Sequence, residues 1–235
     1  MITSLNLNPN ELAQFDRLAK SWWDPQGEMQ LLHRMNPRRL EYILQQTNGV
    51  FGKQLLDVGC GGGLLSESLA IEGAQVTGID MGSALLAVAQ QHAAAQGLTI
   101  DYQQSTVEDY AKAHPQRYDI VTCLELLEHV PDPASVVRAC GQLVKPPGYV
   151  FFSTLNRTLS AWLLAIVVAE SIGRLLPQGT HQLAQFIRPS ELCSWLPAAS
   201  LVERHIIGLQ YQPLCRQFRF SRQVAVNYIL LAQRY

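Results

Sequence analysis

No stretch of the 235-residue chain supplies the roughly 20 consecutive apolar residues that a membrane-spanning helix needs. The apolar run at 160–169 comes nearest in character, and Glu170 stops it well short. Charge is scarce and balanced, with 18 Lys and Arg against 19 Asp and Glu for a net charge of -1. That balance withholds the basic footprint by which proteins grip nucleic acid, so a tRNA or DNA partner is not expected. Cysteine is sparse and dispersed. Cys60, Cys123, Cys140, Cys193 and Cys215 form no C-x-x-C pair, which speaks against a zinc site or a disulfide framework and fits a reducing cytoplasm. The opening residues Met1-Ile2-Thr3-Ser4-Leu5-Asn6 lack the basic start and apolar core of a secretory signal, so the mature chain is expected to begin there. Repeats, coiled-coil heptads and low-complexity tracts are also missing. With 48% hydrophobic residues the chain is long enough for one substantial core and short for two, and a single domain over 1–235 is expected.

What stands out against these absences is Asp57-Val58-Gly59-Cys60-Gly61-Gly62-Gly63, directly after the apolar pair Leu55-Leu56. A strand that stops at Val58 must turn sharply into a helix, and glycines permit positive φ and let a ligand lie against bare backbone. Asp80 closes the strand pattern Gln75-Val76-Thr77-Gly78-Ile79. It trails the loop by roughly 20 residues, the separation at which a neighbouring parallel strand presents a carboxylate to a ribose diol. The third glycine of a dinucleotide fingerprint is replaced by Leu64, which argues for one nucleoside without pyrophosphate rather than NAD. A Gly-rich turn with no ligand is the plain alternative.

Hydrophobic periodicity places these motifs in an alternating frame. Asn10 can cap a helix with Leu12, Phe15, Leu18, Ala19 and Trp22 on one face, and Asn36-Pro37 reads as the start of a second helix closing near Gly49, so N-terminal helices occupy 10–48. Strand and helix then alternate: strand 54–59, helix 63–72, strand 75–80, helix 83–96, strands 100–104 and 118–124, helix 133–144 and strand 149–154. Such alternation predicts right-handed crossovers and a parallel sheet. The segment at about 155–188 interrupts the pattern as an insert. A short helix from Pro189 and strands near 201–210 and 226–233 follow, and these two late strands suit an antiparallel edge hairpin.

The second cluster of polar residues is Glu125, Glu128 and His129, in Thr122-Cys123-Leu124-Glu125-Leu126-Leu127-Glu128-His129-Val130, beyond the carboxyl end of a strand. Parallel sheets carry ligand chemistry at that edge. The three side chains could hold a hard divalent cation, manage a proton, or simply pair locally at a solvated helix start. Leu124 reads as the last buried strand residue, with its backbone facing the crevice. Thr106-Val107 could flank an adenine or form a plain loop. Arg39 is a solvated helix residue on spacing alone, or one that reaches a carboxylate.

Several segments carry a family resemblance. Phe15 through Arg39, with Trp22-Trp23-Asp24, Gly27-Glu28, Leu32-His33-Arg34 and Asn36-Pro37-Arg38-Arg39-Leu40, resembles the N-terminal signature of the ubiquinone-biosynthesis O-methyltransferases. The Gly59 loop, Gly78-Ile79-Asp80-Met81-Gly82, the stretch from Glu125 to Pro133, and Phe151-Phe152-Ser153-Thr154-Leu155-Asn156-Arg157 resemble the later motifs of that family.

The resemblance implies a Rossmann-like class I methyltransferase, an α/β fold with a mostly parallel seven-stranded sheet, helices on both faces and an antiparallel edge strand. It implies S-adenosylmethionine as cofactor, contacted by Arg39, Gly59, Asp80 and Leu124, where relatives often have Met at the Leu124 position. Arg39 would answer the methionine carboxylate and Asp80 the ribose. The cluster of Glu125, Glu128 and His129 resembles one that holds magnesium in related proteins, and a phenolic acceptor would be deprotonated with help from that cation or from His129 as catalytic base. The implied substrates are polyprenyl phenols at both O-methylation steps of ubiquinone synthesis. Peripheral contact with inner-membrane lipid and a place in a ubiquinone-biosynthesis complex go with them. The insert would then act as a lid or a lipid contact near Arg157 and Arg174, against the simpler reading of core packing. Another phenol or a carboxylate as acceptor, or a non-catalytic lipid-binding subunit, are the rival readings. One departure concerns Lys145-Pro146-Pro147-Gly148: relatives have glycine where Pro147 stands, and Pro147 cannot take the positive φ of a type II turn, so that turn must be rebuilt.

Overall fold

The structure is a computed structural model and describes residues 6–158 and 185–235. The expected apolar lid stretch at 160–169, with Arg174, lies outside the described residues. Eight strands form one sheet in the order β3-β2-β1-β4-β5-β8-β6-β7. They are β1 (Gln54–Val58), β2 (Gln75–Asp80), β3 (Asp101–Gln104), β4 (Tyr118–Leu124), β5 (Val144–Leu155), β6 (Leu201–Gln212), β7 (Gln217–Ser221) and β8 (Asn227–Arg234). The first five run parallel, and β8 pairs antiparallel with both β5 and β6.

The helices include α1 (Pro9–Leu18), α2 (Gln30–Thr47), α3 (Leu64–Ile71), α4 (Ser83–Ala95), α5 (Val107–Ala113), α6 (Pro133–Leu143) and α7 (Pro189–Trp195). Two extended apolar clusters cover the two faces of the central strands. One joins Leu56, Val121, Cys123 and Phe152 to α5, α6 and α7. The other joins Leu55, Ile120, Phe151 and Ile229 to α2 and α3. Consecutive strand residues such as Leu55 and Leu56 therefore point to opposite cores, which is why the strands read as continuous apolar runs.

Several sequence expectations require correction. The cap of α1 is Asn8, whose side chain accepts from the Asn10 amide at 3.1 Å, because Pro9 already occupies the first helical turn. Asn36 caps nothing. Helix α2 begins two turns earlier at Gln30 and carries Pro37 in its interior, while the buried Asn36 side chain donates to the Leu64 carbonyl and to Ser68 Oγ at 3.2 and 2.9 Å. The two late strands are not an edge hairpin. Strand β7 takes the edge as an eighth strand and β8 lies inside the sheet. Thr106 is neither plain loop nor free, since its hydroxyl caps α5 by accepting from the Asp109 amide at 3.2 Å. At the rebuilt turn the Pro146-Pro147 peptide is cis and β5 runs through it.

Candidate functional site

The carboxyl ends of β1, β2 and β4 open into one cavity of about 440 Å³. Its wall includes Arg39, Gly59, Asp80, Leu124, Glu125, Glu128 and His129, so every residue singled out from the sequence meets there. The roof is α1. Its apolar stripe of Leu12, Phe15 and Leu18 lines the cavity and contains no fully buried residue, which makes it a cover more than a core element.

The glycine loop is held by its neighbours on both sides. Gly59 and Gly61 take φ of +69° and +53°, in the region that favours glycine. Asp57 lies beneath the loop with a donor on each oxygen: Ser66 Oγ donates to it at 2.6 Å and Thr122 Oγ1 at 2.7 Å. Burial raises its carboxyl above the usual range, against those hydrogen bonds and the Arg39 charge, which lower it. Asp57 therefore anchors the loop through Ser66 and Thr122. Asp80 accepts from the Gly61 amide at 2.9 Å and from the Gly82 amide at 2.7 Å, so one carboxylate ties the loop to the end of β2. Each of its oxygens keeps a further lone pair for a ligand hydroxyl.

The opposite wall is built around Glu125, a non-glycine residue at φ +54°. Its carboxylate accepts from Ser153 Oγ at 2.6 Å and Asn227 Nδ2 at 2.9 Å, and lies 3.1 Å from Arg39 Nη2. That last contact is an ion pair without hydrogen-bond geometry, leaving both Nε and Nη2 of Arg39 buried and unpartnered. Trp22 Nε1, Asn36 Oδ1 and Asn227 Oδ1 are in the same condition, and all four residues line the cavity. Unpaired buried polar atoms cost on the order of 1–3 kcal/mol each, so their concentration here marks a place for a polar ligand. A guanidinium among them suits a carboxylate.

Glu128 and His129 occupy the short 3-10 turn Leu127–His129 after β4. Glu128 accepts from Thr154 Oγ1 at 2.8 Å, and burial together with the Glu125 charge pushes its carboxyl up to about 7. His129 Nδ1 lies 2.6 Å from Glu11 Oε2, a partner on the roof helix 118 residues away in sequence. Burial alone would lower the imidazole, but the Glu11 hydrogen bond and the charges of Glu128, Glu11 and Glu125 outweigh it and hold it above its usual range. Phe15 packs edge-on against the ring at 5.1 Å.

This geometry does not fit the expected magnesium site. Glu125 is committed to Arg39, Ser153 and Asn227, Glu128 to Thr154, and His129 to Glu11, so the three do not converge on a shared point. Among the described residues no group of three His, Cys, Asp or Glu side chains could hold a metal ion. Relative to the unfolded chain, native Glu128 binds its proton more tightly. The stability this gives is full below the ordinary carboxylate range and is lost as pH rises through about 7. Glu128→Gln, neutral at every pH, should exceed the parent by on the order of 2 kcal/mol at about pH 8 and match it at about pH 4. Thermal melts at the two pH values test this, and a gain that is equal at both would refute the assignment.

Sequence reasoning missed Glu11, Ser153, Thr154 and Asn227. Glu11 looks like an ordinary acidic residue in a first helical turn, and nothing in its spacing points to His129.

Comparison with known proteins places the architecture. A methyltransferase domain model matches residues 32–203. Ubiquinone biosynthesis O-methyltransferases from Yersinia pestis and Yersinia pseudotuberculosis are each 57% identical over 229 residues, covering 97% of this chain and 95% of theirs. Among solved structures, magnesium protoporphyrin IX methyltransferase from Synechocystis, with bound SAH, superposes with a TM-score of 0.68 at 21% identity, over 97% of this chain and 96% of that one. A SAM-dependent methyltransferase from Thermotoga maritima, a possible histamine N-methyltransferase, gives 0.69 at 12% identity, over 95% and 99%. At such identities the structural likeness speaks for the fold alone.

Proposed function

The chain belongs to the ubiquinone biosynthesis O-methyltransferases, and on that premise we propose that it transfers a methyl group from S-adenosylmethionine to ring hydroxyls of polyprenyl phenols. The acceptors are 2-polyprenyl-6-hydroxyphenol and 3-demethylubiquinol. The observation that carries this reading is the single cavity joining the glycine loop and Asp80 to Arg39, Glu125 and His129.

S-adenosylmethionine, when bound, supplies a methyl group on a positively charged sulfur. The remaining work falls to side chains of this protein. Asp80 offers its free lone pairs to the ribose hydroxyls, and the unpartnered Arg39 Nε answers the methionine carboxylate. Leu124 lines the cavity as an apolar wall between the two ends. A phenol near pKa 10 is mostly protonated at neutral pH and must lose its proton to become a nucleophile. His129 accepts that proton, with Glu11 fixing the ring through Nδ1 and leaving the other nitrogen for the substrate. Alignment of phenolate oxygen and methyl group provides much of the remaining acceleration.

A polyprenyl tail calls for delivery from lipid. We therefore place the protein in peripheral contact with the inner membrane, where other enzymes of ubiquinone biosynthesis could assemble with it. No helix among the described residues is long and apolar enough to cross a membrane. Arg157, considered for lipid contact on sequence grounds, instead donates to the Phe186 carbonyl at 2.7 Å and to Glu191 at 2.8 Å, closing the base of the insert.

The test is product mass spectrometry with methyl-labelled S-adenosylmethionine and a short-chain prenyl catechol. One labelled methyl on oxygen is the expected result, with a tail-less catechol turned over less efficiently. Equal kcat/KM for both acceptors would favour the reading of a general phenol methyltransferase, and no product from either would sink the enzymatic one.

A further inference from the structure

The Trp22-Trp23 pair lies between α1 and α2, and its two rings meet the glycine loop in different ways. Trp22 lies against the bare backbone of Gly61 and Gly62, so close that a Cβ added at either glycine would come within 2.6 and 2.4 Å of the indole. Trp23 turns aside and donates its indole N–H to the Gly62 carbonyl at 3.0 Å. Its ring is stacked on His92 of α4, with centroids 3.5 Å apart and planes within 4°. His92 is held in turn from behind: its Nδ1 lies 2.8 and 2.9 Å from the two oxygens of Glu67. Glu67 is buried in the first turn of α3, and its own amide donates to the Gly63 carbonyl at 2.9 Å, which returns the chain of contacts to the loop. His33 closes the other side, edge-on to Trp23 at 6.0 Å, with its Nε2 2.8 Å from the Trp22 carbonyl.

We propose that Trp23, His92 and Glu67 are positioning residues that hold the glycine loop in its cofactor-binding shape by clamping the N-terminal segment across it. The proposal rests on the reading of that loop as the S-adenosylmethionine site. The physical argument is one of ordering. A loop rich in glycine loses more conformational freedom on becoming fixed than any other backbone, so its ligand affinity depends on what fixes it beforehand. The Trp23 hydrogen bond fixes Gly62 only while the indole itself is fixed. The stack on His92 supplies that constraint, and the buried Glu67 sets the plane of the imidazole. None of the three reaches the reacting atoms, so removing the clamp should weaken cofactor binding and spare the chemical step.

The experiment is a double-mutant cycle on the full chain with calorimetric S-adenosylmethionine affinity as readout. His92→Ala should weaken binding about five- to tenfold, the scale of one aromatic stack, while kcat at saturating cofactor changes by no more than about twofold. Trp23→Ala should weaken it at least as much, and the double variant should be no weaker than Trp23→Ala alone, because the two rings act as one unit. His92→Phe, which keeps a stacking ring without the Glu67 contact, should recover part of the loss. Additive effects, or parent-like affinity in His92→Ala, overturn the proposal. A second measurement needs no cofactor: amide exchange of the peptide spanning residues 60–63 in ligand-free protein should be faster in His92→Ala than in the parent. Parent-like exchange overturns the clamp even if the loop bound some other ligand. Failure of the unaltered protein to bind S-adenosylmethionine, with exchange still faster in the variant, would overturn the cofactor reading and leave the clamp supported.

Discussion

Replacing His129 by Ala should lower kcat by about 10²- to 10⁴-fold, the range that a positioned general base commands, with cofactor affinity nearly unchanged. The ring lies in the cavity wall with Nδ1 tied to Glu11 at 2.6 Å, so the loss should fall on the chemical step. Glu11 provides the more discriminating test. Because the imidazole is held above its usual range, its neutral, proton-accepting form develops only as pH climbs past that raised value. The rising limb of kcat/KM should therefore sit above the ordinary histidine range. Glu11→Gln removes the hydrogen-bonded carboxylate that does most to raise it, so the limb should move to lower pH while the plateau falls through looser positioning of the ring. A limb that stays in place in Glu11→Gln, or an active His129→Ala enzyme with the parent's pH profile, would remove His129 from the role of base.

Asp80→Ala should cost S-adenosylmethionine binding about two to three orders of magnitude. Two hydroxyls donating to one carboxylate account for most of that, at about 1.5–3 kcal/mol for a hydrogen bond to a charged group. The same substitution strips the Gly61 and Gly82 amides of their acceptor, so the loop loses shape as well as a ligand contact. Asp80→Asn should be nearly as damaging, since an amide can accept through its oxygen and would turn its donor toward one of two backbone donors. Calorimetry distinguishes the outcomes, and affinity within a factor of a few of the parent would refute the assignment.

The glycine loop and Asp80 were legible in the sequence because both ends of the crevice are written in local signals: an apolar strand, a turn only glycine permits, and an acid at a fixed distance. The strands and helices around them follow from the same periodicity, and their observed boundaries differ by a residue or two over most of the α/β alternation. Where two local signals competed, the weaker context won. Asn36-Pro37 looks like a helix start, yet the apolar contacts of Leu31, Leu32 and Met35 carry α2 back to Gln30. Glu11 and His92 were silent for another reason. Their roles exist only through partners 118 and 25 residues away, and no periodicity encodes a pairing across that distance. The cation site was over-read from proximity in sequence. Neighbouring positions on an irregular turn point in different directions, and Arg39, Thr154 and Glu11 each claim one of the three groups.

Strand β8 is made after β6 and β7 but belongs between β5 and β6. Order of synthesis and order in space therefore disagree across this half of the sheet. A nascent chain that has completed β5 exposes a long, largely apolar border whose proper neighbour does not yet exist, and the β6-β7 ribbon has nowhere to dock. Strand β8 pairs with β6 through residues close in sequence, whereas its pairing with β5 joins distant segments such as Tyr149 and Gln233, a step of high loop-closure entropy that leaves the half-built sheet open to association with other chains.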